Sequence, residues 1–211
     1  MIYARDGDTS EHILAAPGLH AKCPACGDDV IAKCGSIIAW HWAHKSADCD
    51  TWAEPESPWH VSWKERFPAD WCEVVVGNHR ADIKTPSGVI ELQHSSIDPY
   101  DVYVREGLYT DYCGGLVWIL DGTDIWDNLS FRNHNGDYAS FRWYWPRKTW
   151  WTATSPVFID LPQISKLFEI KKMHHNTPCG GWGYFRTYDK FMRDMGVGIL
   201  PKVIDWSGFQ T

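Results

Sequence analysis

An α/β fold is what this chain of 211 residues predicts. Three observations carry the prediction. Between residues 54 and 125, two capped helical stretches are interleaved with runs of strand character, in the order helix, strand, strand, strand, helix, strand. Ahead of them lies a Cys-x-x-Cys with further His and Cys at ribbon spacing. Behind them comes a Trp-rich stretch, and the 14 Trp of the chain supply apolar volume for a sizeable core. The expected divisions are an N-terminal knuckle over 1–53, a core over 54–125, and a C-terminal extension over 126–211 packing on that core.

Residues 1–20 are polar, with little periodicity, and read as a short strand or loop. Cys23-Pro24-Ala25-Cys26-Gly27 is a metal-knuckle turn. Its partners must come from His41-Trp42-Ala43-His44 and Cys49, 15 to 23 residues beyond Cys26. A closed structural zinc site needs four ligands. Cys23, Cys26, His44 and Cys49 are the expected set, with His41 as the substitute; Cys34 falls where the ribbon strand should pass through its middle. The competing reading is free thiols beside surface histidines. A zinc deaminase is excluded, since its His-x-Glu ahead of Pro-Cys-x-x-Cys has no counterpart here.

Residues 51–57 read as a connector ending in Ser57-Pro58. Ser at the N-cap and Pro at the first position start a helix that runs to about 67 and stops at Pro68. Trp59, Trp63 and Phe67 share its core face, and His60 and Lys64 form a second stripe just beyond Glu56. Cys72-Glu73-Val74-Val75-Val76 is a strand by its β-branched residues.

The next segment carries the chemistry. Thr85-Pro86-Ser87-Gly88 has the residues of a type I turn. Folding the flanks about it pairs Thr85 with Gly88, Ile83 with Ile90 and Ala81 with Leu92 on an apolar face. Asp82 then faces Glu91, and Arg80 faces Gln93, on the other. Opposed Cβ atoms lie only about 5 Å apart. Two such carboxylates repel unless a positive charge stands between them, and a hard cation such as Mg²⁺ meets that need. The competing reading is an ordinary hairpin with acids on its wet face.

Asp98-Pro99 opens a second helix that ends near 112, with Gly114-Gly115 as the stop. Arg105 and Tyr109 sit one turn apart on it. Leu116-Val117-Trp118-Ile119-Leu120 is a buried strand. Residues 122–155 resist assignment. Within them, Phe141-Arg142-Trp143-Tyr144-Trp145-Pro146-Arg147-Lys148 mixes cations with aromatics. It reads either as a base-stacking surface or as a strand whose Trp residues fill the core. Residues 161 to about 174 read as an amphipathic helix, Cys179-Gly180-Gly181-Trp182-Gly183 as a loop, and 187–195 as a last helix.

Net charge is −7 and pI about 5.7, which argues against holding nucleic acid by bulk electrostatics alone. No apolar run is long enough to cross a bilayer, so no membrane partner is expected. The first residues have no apolar signal region, so the expected location is cytoplasmic.

Together these segments resemble the competence protein CoiA-like family. The resemblance rests on Cys23-Pro24-Ala25-Cys26 with His41-Trp42-Ala43-His44, on Glu56-Ser57-Pro58-Trp59-His60 with Lys64, on Arg80-Ala81-Asp82, and on Glu91-Leu92-Gln93-His94-Ser95. It covers about residues 20–121, continuing through Arg105, Tyr109 and the strand at 116–120. That family is similar to PD-(D/E)XK nucleases, which share the helix and strand order above. The resemblance implies a metal-dependent DNA nuclease of restriction-endonuclease-like fold. Asp82 and Glu91 would hold Mg²⁺ or Mn²⁺ with the Leu92 carbonyl, and Gln93 stands where a lysine is usual. Glu56 and His60 would assist at the site. Lys64, Arg80, Arg105 and Tyr109 would contact DNA, Arg105 and Tyr109 either clamping a phosphate or just bracing the hairpin, and Lys84 could supply a charge. A second reading keeps the zinc and the nucleic acid but treats the Gln as a mark of lost chemistry.

Overall fold

The structure, a computed structural model, describes residues 1–36, 39–46, 49, 50, 52, 56–175 and 179–198. The first residues build a sheet of their own. It contains β1 (Tyr3–Asp6), β2 (His12–Leu14), β3 (His20–Lys22), β4 (Asp29–Lys33) and β5 (His41–His44), in the order β2-β1-β3-β4-β5. Ala4, Ala21, Val30 and Trp42 form its small core.

Over residues 58–121 the chain runs helix, three strands, helix, strand. These are α1 (Pro58–Lys64), β6 (Cys72–Val76), β7 (His79–Thr85), β8 (Gly88–Gln93), α2 (Pro99–Cys113) and β9 (Leu116–Asp121). Ser57 caps α1 by accepting from the His60 N–H, and Asp98 caps α2 by accepting from that of Tyr100. Gly114, at φ +77°, ends α2 in the left-handed turn that a residue without Cβ adopts freely. β6, β7 and β8 form an antiparallel meander, and α2 carries the chain across so that β9 pairs parallel to β8.

The remaining strands extend the same sheet. They are β10 (Leu129–Asn135), β11 (Tyr138–Trp143), β12 (Val157–Leu161), β13 (Lys166–His174) and β14 (Cys179–Arg186), followed by α3 (Tyr188–Asp194). The nine strands lie in the order β10-β11-β14-β13-β12-β9-β8-β7-β6. Val102 and Tyr109 of α2 pack with Trp118, Phe141, Trp143 and Phe168 in one hydrophobic cluster. Trp63 of α1 and Phe191 of α3 pack with Ile83, Ile90, Leu92 and Phe158 in another. Ala81, expected beside Ile83 and Ile90, falls in the α2 cluster.

Two assignments are corrected. The helix expected over 161–174 is the end of β12, a single 3-10 turn and then β13. Ile164, Leu167 and Phe168 happen to fall at helical spacing. Yet Leu167, Phe168 and Glu169 are all buried, because this part of the strand is covered on both faces and so lacks alternation. The loop expected at 179–183 is the start of β14. Its glycines are there for close approach, since a Cβ on Gly181 or Gly183 would run into the carbonyl oxygen of Lys172 or Glu169 across the strand pair. The last helix stands as expected. Of the mixed stretch at 141–148, Phe141 and Trp143 are core, whereas Arg142 and Trp145 face solvent.

Candidate functional site

The turn at Thr85–Gly88 sets the register that the sequence predicts: Thr85 opposite Gly88, Lys84 opposite Val89, Ile83 opposite Ile90. One residue further on, side chains take over from the main chain. The Asp82 N–H donates to Glu91 Oε1 at 3.3 Å, and the Leu92 N–H donates to Asp82 Oδ2 at 3.0 Å. The two acids therefore interlock where the hairpin opens.

Glu91 is braced from α2. Arg105 Nη1 donates to its Oε2 at 3.0 Å, and the Tyr109 hydroxyl donates to its Oε1 at 2.9 Å. Arg105 and Tyr109 are themselves buried, and through Glu91 they hold the hairpin. Lys64 is likewise removed from the surface. Its Nζ lies 2.8 Å from Glu56 Oε1, 2.9 Å from Glu73 Oε1 and 3.0 Å from Asp82 Oδ1. Burial disfavours the Lys64 ammonium, but three carboxylates outweigh it and hold the amine protonated well above its ordinary range.

His60 closes another side, its ring nitrogens meeting Ser57 Oγ at 2.8 Å and the Leu92 carbonyl at 3.2 Å. Gln93 is buried, its amide donating to the Ser95 carbonyl at 3.3 Å, and it does not line the pocket. Gln93 thus stands off the pocket lining, whereas Lys64 and Arg105 are part of it and Tyr109 reaches it through Glu91. Lys84 is exposed and lines no part of the pocket. Arg80 does line it, and its main-chain N–H donates to Asp50 Oδ2 at 2.7 Å.

Glu73 is the residue that sequence reasoning missed. It sits on β6 at φ +55°, a strained conformation for a residue with a side chain, and it is buried. Beyond Lys64, it accepts from the Ile2 N–H at 2.8 Å and so ties the N-terminal sheet to the pocket. Nothing in Cys72–Val76 marks it in the sequence.

The space enclosed is about 30 Å³, enough for one or two occupants the size of a water. Four carboxyls face three fixed cations there. Burial and the Asp82 charge push the Glu91 carboxyl up to about 7 in spite of Arg105 and Tyr109. Burial also raises Asp82, but Lys64, His60 and the Leu92 N–H reverse that and hold it ionised. Glu56 Oε2 and Glu73 Oε2 are buried without a hydrogen-bond partner among the described residues. Hard oxygen donors, two of them unpartnered, around a water-sized space are the donor type that a divalent cation such as Mg²⁺ takes.

The second candidate centre lies in the N-terminal sheet. The turn after β3 closes with the Gly27 N–H donating to the Cys23 carbonyl at 3.0 Å, and Gly27 takes φ +77°. Strand β5 delivers His44. The donor atoms of Cys23, Cys26, His44 and Cys49 lie within 4.8 Å of one another, the one such convergence of His, Cys and acidic groups among the described residues. Cys23 Sγ and Cys49 Sγ are 3.7 Å apart, and Cys26 Sγ is 3.3 Å from His44 Nε2. A tetrahedron with Zn–S bonds of about 2.3 Å has an S···S edge of roughly 3.8 Å. The quartet fits zinc. His41 stands apart, its Nδ1 paired with the Ala39 carbonyl at 2.8 Å. Burial and hydrogen bonds with Cys26 and Cys23 push the Cys49 thiol up to about 12.

Residues 20–51 match the family model of the competence protein CoiA, N-terminal domain, a span that contains all four of these ligands. Over that span the chain is similar to the CoiA-like family. No curated protein and no solved structure matches the chain. The CoiA-like module is fastened to the acidic pocket by the residues just after its fourth ligand. Asp50 Oδ1 accepts from His79 Nδ1 at 2.9 Å, and Trp52 stacks on the His79 ring. The Arg105 guanidinium lies 5.0 Å over Trp52. Among the described residues, no helix is long and apolar enough to cross a membrane.

Proposed function

We propose that the acidic pocket hydrolyses DNA phosphodiester bonds with a hard divalent cation, and that the Cys₃His quartet carries a structural zinc. The observation behind the reading is the placement of Asp82. Its side chain is 21% exposed, whereas those of Glu56, Glu73 and Glu91 are 7% or less, so Asp82 is the acid through which a phosphate would meet the pocket. The order helix, three strands, helix, strand over 58–121 supports the reading.

Asp82 and Glu91 would hold Mg²⁺ or Mn²⁺, which when bound lowers the pKa of a water and offsets charge on the phosphate. Lys64 keeps Asp82 ionised and supplies the fixed positive charge that Gln93 does not. Arg105 and Tyr109 fix the orientation of the Glu91 carboxyl, and His60 fixes the Leu92 carbonyl. Glu56 and Glu73 each offer a free acceptor oxygen to water.

A non-catalytic nucleic-acid-binding module is the second reading, favoured by one observation: Lys64 already satisfies three of the acids. Incubation with supercoiled plasmid and with linear and single-stranded oligonucleotides, in Mg²⁺ or Mn²⁺, separates the two. Cleavage that vanishes in Asp82→Asn and Glu91→Gln, with unchanged circular dichroism, supports hydrolysis. Cleavage undiminished in either variant refutes the assignment, and binding without cleavage in the parent chain selects the second reading.

A further inference from the structure

Strands β10, β11, β14 and β13 lie at the opposite end of the large sheet from the acidic pocket. One face of them is closed by aromatic rings packed edge to face, with Phe131 and Phe141 centred 4.8 and 5.3 Å from Phe168. α3 covers the other face only near β12, where Phe191 meets Phe158 at 5.1 Å. Beyond that, among the described residues, the face carries exposed side chains. The pairing register fixes what stands on it. One cross-strand rung is Arg132, Ser140, Trp182 and Lys172; the next is Ser130, Arg142, Gly180 and His174.

Arg132, Arg142, Lys172 and His174 are exposed. Among the described residues, Arg132, Arg142 and Lys172 make no ion pair, although the chain carries a net charge of −7. The acid nearest in register, Glu169, is already engaged by Arg186 and Lys171. Trp182 keeps 36% of its surface exposed while its ring is held edge-on by Tyr138 at 6.0 Å and Tyr184 at 6.1 Å. Gly180 leaves a trough of about 480 Å³ between the two arginines and His174.

We propose that this face binds single-stranded nucleic acid, with its phosphates on Arg132, Arg142 and Lys172 and a base stacked on Trp182. Unpaired cations match the charge of a phosphodiester chain, and an oriented indole on an open sheet offers a π-face to unpaired bases. A duplex keeps its bases stacked and presents none to Trp182. The inference stands apart from the acidic pocket: a chain that never hydrolyses DNA can still bind here.

The test is fluorescence anisotropy of labelled oligo(dT) against the full-length zinc-loaded chain, without Mg²⁺, across a salt series, with labelled duplex and a labelled acidic peptide as comparisons. Oligo(dT) is expected to bind more tightly than either. In Arg132→Ala/Arg142→Ala, affinity falls tenfold or more, and the slope of log K against log salt shrinks by about 1.4. In Trp182→Ala it falls about tenfold at unchanged slope, and Trp182→Phe recovers most of the loss. Circular dichroism confirms that each variant is folded. Oligo(dT) binding that is absent, no tighter than that of the peptide, or equal in parent and arginine variant overturns the proposal. Cleavage by the parent chain, scored separately, reports only on the pocket.

Discussion

Lys64 Nζ stands 3.0 Å from Asp82 Oδ1, inside a pocket where the same ammonium also meets Glu56 and Glu73. A buried cation shared by three acids ties α1, β6 and β7 together. Removing it strands the acids, and breaking a buried pair from one side costs about 3–5 kcal/mol. Lys64→Met is therefore expected to lower unfolding stability by that order at pH 7, and adding Glu73→Gln should restore part of it. Urea denaturation measures both. A loss under about 1 kcal/mol in the single variant would show that the acids do not depend on Lys64.

Zinc content distinguishes the two histidines of the ribbon. Because His41 and His44 are three apart on a strand, they point to opposite faces, and the structure turns His44 toward the cysteines. Purified protein is expected to carry about one zinc, since one closed four-ligand quartet is present. His44→Ala or Cys26→Ser should lower that content, and His41→Ala should not. Loss of zinc on His41→Ala, with retention on His44→Ala, would reverse the ligand assignment.

What the sequence made legible was local. The Thr85–Gly88 turn fixed the register, and with it the meeting of Asp82 and Glu91. The cysteine spacing named the zinc quartet, although only a known strand direction decides between His41 and His44. Proline and capping residues placed α1 and α2. What escaped depends on distant partners. Glu73 is selected by a strained backbone and by Lys64 from another element. Arg105 and Tyr109 were visible as a pair, but not the Glu91 carboxyl that claims both. The glycines of β14 read as loop because the carbonyls they clear belong to β13. The burial of Leu167, Phe168 and Glu169 on both faces erased the alternation that would have marked the start of β13 as a strand.

The pocket acids give stability two opposing pH dependences in zinc-loaded, magnesium-free protein. Burial raises Glu56, but Lys64 outweighs it and brings the carboxyl down to about 2. Its contribution is therefore complete above the unfolded value near 4.5 and is lost as pH falls from there toward 2. Glu91 goes the other way. With its folded value raised to about 7, the folded chain binds the extra proton between 4.5 and 7, and stability declines as pH rises through that window. Glu91→Gln abolishes the second dependence. The variant is expected to gain on the parent as pH goes from 5 to 8, read as the difference in urea midpoints. Parallel curves would mean that Glu91 is ionised throughout.

Asp160 anchors both helices of the α1 and α3 side. Trp59 Nε1 and Trp63 Nε1 each donate to its Oδ2 at 2.8 Å, and the Tyr188 hydroxyl donates to its Oδ1 at 2.5 Å. Burial and the Asp160 charge push the Tyr188 phenol far up, so it remains a neutral donor at any ordinary pH. Asp160→Ala would leave three donors without an acceptor, each costing about 1–3 kcal/mol when buried, so a loss on the order of 3 kcal/mol or more is expected. Tyr188→Phe alone removes one donor and leaves the carboxylate two, at a cost of about 1 kcal/mol. Combined, the two changes should cost less than their sum, because the second no longer has a bond to break. Denaturant unfolding of the four chains gives the coupling. Strict additivity, or an Asp160→Ala chain within 1 kcal/mol of the parent, would show that the helices are held by apolar packing alone.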